Sequence, residues 1–542
     1  MLKHLTLENF KAFGRKTKIE LAPITLIFGE NSAGKSSILQ SLNLLKQTHE
    51  SGQSGAALLP RIDGGFVELG SYHELIFDHN AKKKLRIGLS AQSQKARTSV
   101  FSGIPGCGLE IAFRRNARNG EVVVSEFIIT HENSMKPVAK FKIRKATKKE
   151  QKELTRYGRY GVMRGRIRSS GKPALDTVAE CTHITEEEQF WQPIYEEWFS
   201  RRSDVVKYLK KELDNAAKHN RSGLTARNEE EQVAAVKSSL DFYSRHFGLG
   251  GFVERVAAAG IGHTVLMDGF FPEASPISRM WKQLPELEMV YAGRAPGTGR
   301  RIKKYFDIGA FAYFTGREIA SALEMMFPMG PLRRTPERWY IFTGTSPVDV
   351  GYQGDHLPDL LYQNPALVKK ANSWLAKLDI GYQLKVIPVG DKKHSDLFEV
   401  RLVDSRREGE VEVALSDVGF GISQILPFLV QSLASERRII SIEQPEVHIH
   451  PRLQADLGDL IAEGVKKPHF HQYLIETHSE HLILRIQKLV RNGSLEPKDV
   501  SILYVSRGSN GSSVERLRLD DNGDFIDDWP GGFFSERLRE LR

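Results

Sequence analysis

Eight residues, Gly29-Glu30-Asn31-Ser32-Ala33-Gly34-Lys35-Ser36, constrain this chain more than any others. They read G-x-x-x-x-G-K-S, with an apolar run, Ile24 to Phe28, before them and a helical pattern, Ser37 to Leu45, after them. Strand, Gly-rich turn and helix in that order aim backbone N–H groups and a helix N-terminus at phosphate oxygens. Lys35 adds a point charge at the β- and γ-phosphates, and the Ser36 hydroxyl is placed to ligate Mg²⁺. Asn31, Gly34 and Ser37 complete the expected cradle. The spacing predicts that the chain binds a nucleoside triphosphate with Mg²⁺.

The 542 residues exceed what one core accommodates, so several domains or lobes are expected. An apolar fraction of 40% with 27% charged residues describes a globular chain and excludes a disordered one. Gln424 to Leu433 is about the longest apolar run and is too short to cross a bilayer, so no membrane association is expected. Met1 to Phe10 lacks the layout of a signal peptide and alternates like a strand. Two cysteines, Cys107 and Cys181, make neither a disulfide framework nor a zinc site, which fits a cytoplasmic protein.

The net charge of +10 is unevenly spread. Lys140 to Lys172 holds thirteen Lys/Arg against two acidic residues, an excess about equal to that of the whole chain. Lys145, Lys148, Lys149, Arg156, Arg159, Arg164, Arg166 and Arg168 interleave there with Tyr157, Tyr160 and three glycines. Such a segment suits phosphate contacts and base stacking, so nucleic acid is an expected partner; a solvated loop is the plainer alternative.

In chain order, Leu2 to Leu7 and Lys18 to Leu21 are strand candidates before the phosphate loop. Leu85 to Leu89, Leu109 to Phe113, Val122 to Thr130 and Ala139 to Arg144 alternate as strands of an antiparallel sheet, with Asn119-Gly120 as a hairpin turn. Apolar spacing in Thr185 to His219, Thr225 to Phe247 and Phe311 to Phe327 is helical. The expected fold is α/β, a mixed sheet around the phosphate loop, with an antiparallel β extension and a mostly α-helical insertion. The expected divisions are 1–100, 101–171, 172–327 and 328–542.

Three more blocks carry chemistry. Gly419-Phe420-Gly421-Ile422-Ser423-Gln424 opens a helical stretch; Arg438 to Glu443 reads as a buried strand ending in a carboxylate, followed by Gln444-Pro445-Glu446 and His448-Ile449-His450-Pro451. Tyr473 to Glu476 is another strand, running into Thr477-His478-Ser479. Phosphate loop, Gly-rich signature, carboxylate-ended strand and Thr-His-Ser turn, in that order, resemble the ABC-type AAA ATPases of the SMC, RecF and OLD group. Within it, the chain is similar to prokaryotic ATPases of antiphage systems such as Septu and some retrons. The closing Asp528-Trp529-Pro530-Gly531-Gly532-Phe533-Phe534 resembles the tail of one branch of that group. The resemblance covers about residues 1–75 and 330–535.

The resemblance implies an ABC-ATPase head that forms a homodimer or higher oligomer by sandwiching ATP. Lys35 and Ser36 would hold phosphate and Mg²⁺, Glu443 would be the Mg²⁺-ligating acid, and His478 would sense the γ-phosphate. Gly419 and Gly421, with Ser423 or Ser416, would meet the partner's nucleotide. Gln444 departs from the pattern: it stands where the water-activating glutamate usually does, and an amide cannot take a proton. Hydrolysis is therefore expected to be slow, with Glu446 as the candidate base and a structural carboxylate as its alternative. Arg333, Arg334 and Arg338 either approach the nucleotide or the partner, as the resemblance implies, or form salt bridges within the lobe. His448, His450, His469, His471, His478 and His481 crowd into 34 residues, but no Cys or paired carboxylate completes a ligand set beyond Mg²⁺.

The sequence displays no nuclease constellation, so any cutting is expected from a separate effector nuclease, for instance one of HNH type. The reading that follows is an ATP-controlled sensor and scaffold that restrains an effector nuclease in antiphage defence. A RecF- or SMC-like DNA-binding ATPase of repair is the alternative, and a transporter subunit is disfavoured by the large insertion.

Overall fold

The computed structural model describes residues 1–51, 56–92, 106–131, 136–148, 151, 177–192, 264–268, 271–273, 308–390, 396–406 and 411–529. The chain divides into two compact units, one formed by Met1–Glu50, Leu59–Leu85 and Ser321–Arg542, the other by Ser51–Leu58 and Arg86–Ala320.

The first unit opens with an antiparallel pair, β1 (Leu2–Glu8) and β2 (Thr17–Glu20). The Ile24 to Phe28 run becomes β3 (Ile24–Gly29), buried at every residue, as a strand with both faces covered must be. Helix α1 (Lys35–Glu50) follows the phosphate loop and the short α2 (Tyr72–Leu75) comes later.

The second unit is an antiparallel sheet in which β4 (Leu85–Ala91), β5 (Cys107–Arg115), β6 (Val122–His131), β7 (Pro137–Lys145), β8 (Thr177–Ile184), β9 (Thr264–Asp268) and β10 (Phe271–Glu273) lie side by side in chain order. Stacked Phe127 and Phe141, 4.4 Å between ring centres, fill its core. The strands expected before residue 145 all form, and Gly120 sits in the hairpin turn. Within 172–327, where helix was expected to dominate, β8, β9 and β10 extend the sheet, because the edge of β7 offers β8 a full antiparallel ladder. The other helices expected in that stretch lie largely outside the described residues. Helix α3 (Ile308–Glu324) ends before Phe327, and β11 (Met326–Met329) follows as a parallel strand, its four residues all buried.

The chain then forms β12 (Tyr340–Ile341), α4 (Leu357–Gln363), α5 (Pro365–Lys377), β13 (Tyr382–Pro388), β14 (Leu397–Asp404) and β15 (Val411–Ala414). Next come α6 (Phe420–Ala434), β16 (Ile439–Glu443), α7 (Pro451–Gly464), β17 (Gln472–Glu476), α8 (Glu480–Arg491), β18 (Val500–Gly508) and β19 (Gly511–Leu517). Caps set the helix starts: Asn364 accepts from the Leu367 N–H before α5, and Ser479 from the Leu482 N–H before α8. The central sheet runs β11-β16-β17-β3-β18-β19, parallel except for β19. The buried Gln472 side chain ties its centre to the start of the chain, accepting from the Leu2 N–H at 2.8 Å and donating to the carbonyls of Leu2 and Ala22.

Gly464, the last residue of α7, leaves room for the buried Tyr473 hydroxyl: a Cβ there would lie 2.0 Å from Oη. Gly464→Ala gains at most about 1 kcal/mol of helix propensity, whereas overpacking costs about 1–3 kcal/mol. The substitution is expected to destabilise the protein, read as a lower urea midpoint at unchanged slope; a raised midpoint contradicts this packing.

Candidate functional site

Five parallel strands deliver their carboxyl ends to the region of the phosphate loop, the edge where α/β sheets bind ligands. Buried Lys35 folds its ammonium back across the loop, donating to the carbonyls of Gly29 at 3.2 Å and Glu30 at 2.7 Å. Burial lowers its pKa, against the opposing pull of Glu476 and Glu30. Gly34 has φ +96°, and a Cβ there would lie 2.8 Å from Ala12 Cβ. The β18–β19 hairpin braces the same loop: Ser512 Oγ donates to the Ala33 carbonyl at 2.5 Å, and the Glu30 N–H to that of Val505 at 3.2 Å. Asn31 stands exposed at the tip, while Ser37 is buried and donates its N–H to the Gly34 carbonyl at 3.1 Å. Lys11, Gly34, Lys35, Ser36, Ser37 and Gln40 are among the residues lining a cleft of about 280 Å³ here.

The acid site is a pair. β16 and β17 are parallel, with Glu443 the register partner of Glu476, and Ser36 Oγ donates to Glu476 Oε1 at 2.9 Å. Burial, then the charge of Glu476, pushes the Glu443 pKa up to about 7, while Arg333 and Lys11 pull it down. Burial also raises Glu476, opposed by the Ser36 hydrogen bond and Lys35. Two carboxylates beside a loop hydroxyl supply the hard oxygen donors that Mg²⁺ requires, so Ser36, Glu443 and Glu476 fit that ion.

Sequence reasoning missed two residues of this site, Glu476 and Lys11. Glu476 ended a recognised strand, but only the β16–β17 register makes it the neighbour of Glu443. Lys11, at φ +48°, donates to Gln40 Oε1 at 2.8 Å and is coupled to Glu443; the sequence carries no signal for it. Glu443 and Gln40 also line a second cleft of about 500 Å³, together with Pro331, Tyr352 and the loop Arg61 to Leu69.

Gln444 takes a left-handed conformation, φ +47°, and its N–H donates to the Glu476 carbonyl at 2.8 Å. Glu446 is buried, and its Oε1 accepts from the His478 N–H at 2.5 Å, so the carboxylate holds the Thr-His-Ser turn. Burial raises its pKa, against hydrogen bonding to the His478 N–H and the Thr477 side chain; Oε2 itself meets no hydrogen-bond partner of good geometry among the described residues. Leaving such an atom unpaired costs on the order of 1–3 kcal/mol. The His478 ring is exposed; desolvation on its protein side and the charge of Lys35 lower its pKa and favour the neutral imidazole at pH 7.

The signature glycines divide. A Cβ on Gly419 would meet nothing within 4 Å, whereas one on Gly421 would lie 2.7 Å from the His448 carbonyl oxygen of the same chain. Gly421 thus permits an internal contact, beside the edge-to-face pair of Phe420 and His448. Ser423 is buried and donates to the Phe420 carbonyl at 2.7 Å; Ser416 is half-buried and its hydroxyl donates to Asp417 Oδ1 at 3.5 Å. Gly419 caps α6 without a side-chain bond, which leaves the first N–H groups of the helix open.

The three arginines divide too. Arg338 makes a two-point pair with Asp417 at 2.8 and 2.9 Å, and Arg334 pairs with Glu337 at 2.5 Å. Arg333 is buried, near Glu446 and Glu443. Among the described residues no His, Cys, Asp or Glu cluster could hold a metal ion by itself, and His471 is structural, accepting from the Arg438 N–H. Of the basic segment, Lys145 and Lys148 are exposed; Lys149, Arg156, Arg159, Arg164, Arg166 and Arg168 lie outside the described residues. No described helix is long and apolar enough to cross a membrane.

The family described as AAA ATPase domain matches residues 1–236 and 365–483, and a family described as Protein of unknown function (DUF3696) matches 495–542. No curated protein matches. Among solved structures, the Smc head domain with an extended coiled coil, bound to the C-terminal domain of ScpA, from Pyrococcus furiosus is 13% identical, covering 100% of this chain and 98% of that one, with a TM-score of 0.37. The SMC head domain from Thermotoga maritima is 11% identical over 96% and 99%, TM-score 0.33. The Smc head domain with a coiled coil and joint from Pyrococcus yayanosii is 14% identical over 100% and 99%, TM-score 0.36.

The acid pair generates two predictions. Glu476→Gln is expected to weaken Mg²⁺-dependent ATP binding about 10- to 100-fold and leave Mg²⁺-free binding unchanged, measured by titration calorimetry with and without EDTA. The second concerns pH without Mg²⁺. A carboxyl whose folded pKa lies above its unfolded value costs stability as pH rises from the unfolded pKa, about 4.5, to the folded one, about 7. Glu443→Gln is therefore expected to melt above wild type at pH 8 and level with it near pH 4; a constant offset contradicts the repulsion.

Proposed function

The chain belongs to the AAA ATPase domain family, and on that premise we propose that it is an ATP-Mg²⁺ switch in which nucleotide closes two copies together and slow hydrolysis releases them. The observation that carries this reading is Gln444, a neutral amide at the strand end beside the acid pair. It orients water but cannot accept a proton. Glu446 is the nearby carboxylate suited to that step, with one oxygen pinned by the His478 N–H and the other buried without a hydrogen bond among the described residues.

In this reading the loop N–H groups and Lys35 bind the phosphates, and Ser36, Glu443 and Glu476 hold Mg²⁺, which neutralises charge as the γ-phosphoryl group transfers. Glu446 Oε2 takes the proton as the water oxygen bonds to the γ-phosphorus. The bridging P–O bond breaks, giving ADP and phosphate. His478, neutral beside Lys35, meets the γ-phosphate, and Lys11 bounds the same cleft. The open N-terminus of α6 at Gly419, with 43%-exposed Phe420 beside it, supports a second copy's nucleotide as its ligand.

The biological role we propose is a sensor and scaffold that restrains an effector nuclease in antiphage defence, supported by motif order alone. The basic stretch from Lys140 to Lys172 favours the second reading, a RecF- or SMC-like ATPase acting on DNA.

Light scattering with and without ATP-Mg²⁺, paired with phosphate release, tests these readings. The switch requires an ATP-dependent dimer or larger species that turns over slowly, with assembly lost in Lys35→Ala and residual turnover lost in Glu446→Gln. Fast hydrolysis that rises several-fold with DNA replaces the switch with the repair reading.

A further inference from the structure

Arg333 differs from its neighbours Arg334 and Arg338, which are exposed and ion-paired. Only 4% of it is accessible. Its backbone N–H donates to Gln424 Oε1 at 3.4 Å and its Nη1 to the Pro331 carbonyl at 3.0 Å. That leaves Nε and Nη2, the edge of a guanidinium that fits two oxygens at once. Both atoms are buried with no hydrogen-bond partner among the described residues, and Glu446 Oε2 is in the same condition. Among the charges acting on Arg333, that of Glu446 is the strongest and that of Glu443 the next. Tyr352 flanks the same group, its ring seated where a Cβ on Gly330 would come within 2.9 Å of it.

We propose that Arg333 is a positioning residue for Glu446. Its Nε–Nη2 edge engages Oε2 of that carboxylate across one water, since the two side chains make no direct hydrogen bond or ion pair. The His478 N–H already anchors Oε1, so a second contact at Oε2 stops the carboxylate from rotating and keeps Oε2 in line for the proton of the attacking water. A guanidinium anchored through Nη1 is suited to the task, because its fork is rigid where an ammonium is a movable point charge. The inference rests on the reading of Glu446 as the base.

The experiment is single-turnover phosphate release by the full chain, with ATP affinity and melting temperature measured on the same samples. Arg333→Gln is expected to lower the rate about 10- to 100-fold, with ATP affinity within about threefold of wild type. Arg333→Lys should recover part of the rate, and the double variant with Glu446→Gln should be no slower than Glu446→Gln alone. Multiplying losses in the double variant, or lost affinity or folding at an unchanged rate, overturn the inference. If Glu446→Gln is slow and Arg333→Gln is not, only the Arg333 inference falls. If Glu446→Gln turns over like wild type, the base assignment falls and takes the inference with it.

Discussion

β16 and β17 run parallel and in register, so the acids that end them, Glu443 and Glu476, lie side by side next to the phosphate loop. Like charges on half-buried Glu443 and buried Glu476 repel, and burial adds a desolvation cost to each. The surroundings answer with cations and donors: Lys35 and the Ser36 hydroxyl act on Glu476, Lys11 and Arg333 on Glu443. A divalent cation held by these carboxylates would relieve the repulsion.

From this pair a line of contacts leads through the site. The Gln444 N–H bonds to the Glu476 carbonyl, which joins the two strand ends beyond their ladder. Two residues on, Glu446 reaches across to the backbone of His478, so the segment after β16 fixes the turn after β17. Arg333, arriving from the loop after β11, acts electrostatically on both Glu446 and Glu443. Three neighbouring strands of one sheet thus each send a charged group to one spot, and the Arg333 N–H links that spot to α6 through Gln424.

Much of this was legible beforehand because it rests on local rules. A Gly-rich turn between an apolar run and a helix, a carboxylate at a strand end and a proton-inert amide after it are properties of short segments. What was not legible has a different origin. Phe327 continues a helical pattern, but its neighbours find an open strand edge at β16 and pair with it. Gly421 has the spacing of a ligand-facing glycine, yet the carbonyl it admits belongs to His448. Ser423 has a hydroxyl at the expected spacing, and only the fold shows that it bonds to the Phe420 carbonyl.

The sequence by itself determined that this chain builds a phosphate cradle with an acid strand beside it, because both are encoded within a few consecutive residues. It also determined that the residue after the acid strand is an amide, Gln444, which takes no proton in any fold. Only the tertiary structure decided that Glu476 partners Glu443, that Lys11 enters the cleft, and that Arg333 is buried by Glu446 while Arg334 and Arg338 are surface pairs. Those outcomes depend on strand register and on contacts between residues up to hundreds of positions apart. Local periodicity carries no term for either.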